Sequence, residues 1–92
     1  MEILAPGIVE ATSLDIVVVG GEPIHVMLFR NDENKIETKC TCPIYKQDPD
    51  GNWNPTTWSL NHNNPTRILV GAGTYQIRRS GGLDYPTGIA TG

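Results

Sequence analysis

Ninety-two residues leave room for one domain with one modest core. Seven basic residues against ten acidic ones give a net charge of −3. The basic residues are scattered, so no stripe exists to neutralise a run of phosphates and nucleic-acid binding is disfavoured. Two cysteines are too few for a disulfide framework, and the apolar run Ile16 to Val19 falls far short of a membrane span. The opening MEILAPGIVEA lacks a basic segment ahead of an apolar one, which predicts synthesis and folding in a cytoplasm. Ten glycines add to the entropy lost on folding, so a domain this small is expected to gain stability by self-association or by docking on a larger surface.

Helical periodicity is nearly absent, and short β-branched runs alternate with glycine, proline and asparagine. Residues 1–13 read as an arm or a first weak strand ahead of a single β domain over 14–92. Leu14 to Val19 (LDIVVV) and Ile24 to Arg30 (IHVMLFR) are predicted strands, joined by a hairpin turn at GGEP. In the second strand Ile24, Val26 and Leu28 share one face, while His25, Met27 and Phe29 share the other. Both faces are largely apolar, which predicts a strand central in a sandwich or one at an interface. Asn31 to Asn34 is a predicted loop, and Ile36 to Cys42 a weakly alternating edge strand. Lys46 to Pro55 reads as a polar loop, Thr57 to Leu60 as a short strand and Asn61 to Pro65 as a turn. Thr66 to Val70 and Thr74 to Arg79 then form a predicted hairpin. Gly71 and Gly73 supply its positive φ angles, and Tyr75 and Ile77 pack inward. Gly88 to Thr91 closes the chain as a last strand. The sum is an all-β fold, a small β-sandwich or barrel of jelly-roll type with an extended N-terminal arm.

Candidate chemistry is sparse. Gly71-Ala72-Gly73 lacks both the third glycine of a dinucleotide fingerprint and the Gly-Lys-Ser/Thr ending of a phosphate loop. Asp48-Pro49-Asp50-Gly51 resembles the start of a calcium loop, but Trp53 and Ser59 stand where that loop needs glycine and a bidentate glutamate. A β-turn accounts for it better. Cys40 and Cys42 would face the same way in a strand and, with His25 and His62, could complete a tetrahedral zinc set; buried small hydrophobes are the simpler account. Ser13, Ser59 and Ser80 sit in no nucleophile elbow. Trp53, Trp58 and Tyr75 could stack on sugar rings or fill a thin core. No cofactor and no enzymatic activity are expected.

From Trp58-Ser59-Leu60 the chain runs through Asn64-Pro65-Thr66, Gly73-Thr74-Tyr75 and Arg78-Arg79 to Thr87-Gly88-Ile89. This pattern resembles the C-terminal half of small β-rich bacteriophage virion proteins, with Ala72 where proline is usual. The resemblance covers roughly residues 53–91 and implies a capsid decoration or cementing protein. Such a protein is made in the bacterial host cytoplasm and sits on the virion surface. Its partner is the major capsid protein, and it self-associates as a dimer or trimer. The expected contacts are Ile3, Leu4, Ile8 and Val9 of the arm with Met27 and Phe29 of the IHVMLFR strand. Deleting residues 2–9 should then abolish capsid binding. The alternative is a tail or fibre module, carbohydrate-binding through Trp53 and Trp58.

Overall fold

The computed structural model describes residues 1–30 and 37–92. Within them the chain folds back on itself as one long antiparallel ribbon. The outgoing strands are β1 (Glu2–Gly7), β2 (Ala11–Thr12), β3 (Ile16–Val18), β4 (Ile24–Arg30) and β5 (Thr41–Gln47). The returning strands are β6 (Trp53–Asn61), β7 (Thr66–Leu69), β8 (Gly73–Arg79) and β9 (Thr87–Thr91). β5 pairs with β6, β4 with β7, β2 and β3 with β8, and β1 with β9. The ribbon then rolls up, so that β4 also pairs with β9 and β5 with β8. Two open sheets result: β1-β9-β4-β7, and a second with β2 and β3 on one side of β8 and β5 and β6 on the other. This winding is that of a jelly roll, so the fold is a small all-β sandwich. Val26, Cys42, Ile44, Leu60, Leu69, Ile77 and Ile89 are fully buried between the sheets.

The tip of the ribbon is the turn between β5 and β6. Asp48 Oδ1 accepts the Asp50 and Asn52 N–H groups at 3.0 and 2.9 Å, and Gly51 takes φ 89°. The strands reach closer to this turn than the polar composition predicts, to Gln47 on one side and from Trp53 on the other. Polar side chains suit strands whose one face meets water, and Pro55 is tolerated because β6 is an edge strand.

Two predicted hairpins are instead crossings between sheets. Gly20-Gly21-Glu22-Pro23 carries the chain from β3 to β4, which do not pair, with Glu22 N–H donating to Val19 O at 3.0 Å. Gly71-Ala72-Gly73 likewise carries it from β7 to β8 in the opposite sheet. Gly71 and Gly73 do take positive φ, 91° and 154°, and Tyr75 and Ile77 are buried. Tyr75 Oη donates back to Gly71 O at 2.8 Å, which seals the crossing. Glycine turn chemistry permits a sharp reversal; it does not determine whether the flanking strands pair with each other.

The N-terminal segment is no free arm. Residues 2–7 form the edge strand β1, and Ile3 lies in the core at 4% exposure. Register shifts on both sides of Leu4 break the alternation, which is why the strand reads weakly in the sequence. The predicted loop Asn31–Asn34 lies outside the described residues, as does the start of the predicted strand Ile36–Cys42. The strand there begins at Thr41, and β5 sits inside its sheet rather than at an edge.

Candidate functional site

The faces of the sandwich differ in chemistry. Along β4, Val26 and Leu28 turn into the core, so His25, Met27 and Phe29 turn outward. Directly opposed residues share a face, which puts Ala90 and Gly88 of β9 and Thr66 and Ile68 of β7 on the same outer surface. This stretch across three strands has no Asp, Glu, Lys or Arg; Glu2, opposite Ala90, bounds it on β1. The Phe29 ring packs over Gly88, where an added Cβ would meet Phe29 Cζ at 2.7 Å.

The outer face of the second sheet is polar. On β8, Thr74, Gln76 and Arg78 alternate with the buried Tyr75, Ile77 and Arg79. Gln76 Nε2 donates to Asp15 Oδ1 at 3.0 Å, and the Arg78 guanidinium stacks 3.8 Å from the Tyr45 ring centre. Val17, opposite Thr74 and 62% exposed, is an apolar side chain on this face, and Tyr45, opposite Gln76, and Trp53, opposite Gln47, add aromatic ones.

The contact residues expected from the sequence divide between these environments. Ile3 is in the core and Leu4 packs against it, so both are committed to folding. Ile8 and Val9 are exposed on the turn after β1. Met27 and Phe29 lie half-buried on the uncharged outer face.

The possible zinc set is not assembled. Cys40 and Cys42 do converge, Sγ to Sγ 3.3 Å, inside the sandwich. The hydrogen bond to Cys40 and burial together push the Cys42 thiol well above its ordinary value. His25, however, is exposed on the outward face of β4, and His62 is exposed on the turn after β6. Among the described residues no group of three or more His, Cys, Asp or Glu is placed to hold a metal ion. Asp48 serves as a turn cap: hydrogen bonds from the Asn54 side chain and from backbone N–H groups hold its carboxyl below the usual range. Trp58 packs against the core, with the Arg67 guanidinium over its ring at 5.3 Å, so it offers no free stacking platform.

Two buried charged groups went unmarked in the sequence. Glu37 Oε1 accepts the Lys39 N–H at 2.9 Å, and Oε2 accepts those of Asp84 and Tyr85 at 2.6 and 2.7 Å. Burial alone would raise its pKa, but the three amides outweigh this and hold it low. Arg79 donates from Nε to Val9 O at 2.9 Å, and from Nη1 to Ala5 O and Thr87 O at 2.9 and 2.8 Å. A pocket of about 340 Å³ opens beside Met27, Arg30, Glu37 and His62. Glu37 is unsuited to act there as a general base, because both of its oxygens are engaged by the backbone. No protein-family model matches the chain, and neither the curated proteins nor the solved structures provide a match.

Proposed function

We propose that this chain is a non-catalytic assembly component of the capsid-decoration kind, which docks on the outer surface of a virion shell and cements neighbouring major capsid subunits. The observation that carries this reading is the uncharged stretch of outer face across β9, β4 and β7, centred on Met27 and Phe29. Interface cores are depleted in charge and enriched in aromatic residues and methionine. The acidic balance and scattered basic residues suit a protein partner better than a nucleic acid. A major capsid protein as the partner is what the sequence resemblance over residues 53–91 implies. A small domain whose folded form alone is bound gains stability from its lattice by mass action, and many copies on one shell add avidity.

The test is co-sedimentation of the purified chain with expanded phage capsids stripped of their decoration protein. Saturable binding at a fixed ratio per capsid subunit is expected. A folded chain that leaves the capsids bare at all concentrations would contradict the proposal and turn attention to a tail or fibre role.

A further inference from the structure

Each sheet has two edges, and three of the four are blunted. On β1, Pro6 lacks an N–H and the register shifts twice. On β6, Pro55 interrupts the donors beside a register shift. On the far side of β8 the edge is split into pieces of two and three residues. The fourth edge, β7, has no proline, no register shift and no carboxylate.

The orientation of its backbone follows from the ladder. Leu28 N–H donates to Pro65 O at 2.8 Å, so the hydrogen-bonded pairs with β4 are Leu28/Pro65, Val26/Arg67 and Ile24/Leu69. The N–H and C=O groups of Thr66 and Ile68 therefore point away from β4, and among the described residues no strand receives them. The exposed side chains along this edge are Thr66 and the apolar Ile68 and Val70, at 48% and 54% exposure for the last two. Arg67, the only charge on the strand, is turned toward Trp58.

We infer that β7 pairs antiparallel with β7 of a second copy of this chain, across a twofold axis at Ile68. The strand is complementary to itself in that register. Ile68 opposes Ile68 and exchanges two main-chain hydrogen bonds with it, while Thr66 opposes Val70, so each same-face pair is β-branched. Arg67 opposes Leu69, and no like charges meet. Shifting the register by one pair would centre the axis on Arg67 and set two guanidinium groups opposite each other, which is unfavourable. The contact is isologous and closes as a dimer. It joins the two β1-β9-β4-β7 sheets into one continuous sheet and so doubles the uncharged outer face. The inference does not depend on capsid binding, because it concerns the purified chain alone.

Sedimentation equilibrium over the micromolar range tests it, on the wild type, Ile68→Lys and Val17→Lys. A wild-type dimer is expected. Ile68→Lys should weaken it by about tenfold, since it opposes two ammonium groups at the axis. Val17→Lys, on the opposite edge, should leave it unchanged. An independent variant, Ile68→Pro, should also lose the dimer, because proline removes the outward N–H that each copy contributes at the axis. A wild-type chain monomeric throughout this range, a dimer indifferent to Ile68→Lys or to Ile68→Pro, or one lost with Val17→Lys would each overturn the inference.

Discussion

Arg79 takes a charged side chain to 3% exposure, received by main-chain oxygens of the β1–β2 turn, of β1 and of β9. Replacing it by methionine keeps most of the apolar stem but leaves three carbonyls without their donor. Arg79→Met should cost about 2–4 kcal/mol in urea unfolding, and a loss under about 0.5 kcal/mol would contradict that role. Glu37 gives the pH dependence. Its pKa is lower in the folded chain than the unfolded value of about 4.3, so its contribution is present above that pH and is lost as pH falls through the folded value. Urea midpoints measured from neutral to acid pH should therefore decline below about pH 4, and Glu37→Gln should flatten part of that decline. The flattening is partial because Asp48, held low in the same way, titrates on the same limb. Neither Arg79 nor Glu37 was legible as a bonding centre in the sequence. Their partners are backbone groups, which any residue supplies. What the sequence does contain is the alternation that turns Arg79 inward and Arg78 outward.

At the scale of the element, most strands were legible, but β5 was not, since Thr41–Gln47 overlaps the predicted Ile36–Cys42 strand only at its start and runs into the polar stretch read as a loop. The pairing of the strands was not legible either. Ile24–Arg30 occupies the predicted span because its alternation is regular, and its two apolar faces anticipated the outward Met27 and Phe29. The crossings at residues 20–23 and 71–73 were misread as hairpins because their glycines meet a purely local demand. Gly88 is the element-scale counterpart of these turns. An added Cβ there would come within 2.8 Å of Leu4 O and 2.7 Å of Phe29 Cζ, whereas at Gly20 it would meet nothing within 4 Å. Gly88→Ala should thus destabilise by about 1–3 kcal/mol, and Gly20→Ala by a few tenths at most, measured by the same urea titrations. Equal effects would mean that β1, β9 and the Phe29 ring are not packed as described.

For the molecule as a whole, the long ribbon sets both order and vulnerability. Its outermost pair joins the two ends of the chain: Thr91 N–H donates to Met1 O at 2.7 Å. Such pairing requires closing the longest loop available, so folding is expected to be slow for the size of the domain. It also changes what a truncation reports. Removing residues 2–9 deletes an edge strand and takes Ile3 out of the core, so lost capsid binding would follow from unfolding as readily as from a lost contact. Docking is better probed on the outer faces, where a substitution leaves the core intact.

The most direct measurement of the central claim is a side-by-side capsid co-sedimentation of the wild type, Met27→Glu on the uncharged face and Thr74→Glu on the polar one, each first checked for folded far-UV circular dichroism. A charge buried at an interface core without a partner costs a large share of the binding energy. Met27→Glu should therefore weaken capsid binding by about tenfold or more, while Thr74→Glu binds like the wild type. Equal binding by all three proteins, or loss confined to Thr74→Glu, would contradict the assignment of the β1-β9-β4-β7 face as the docking surface.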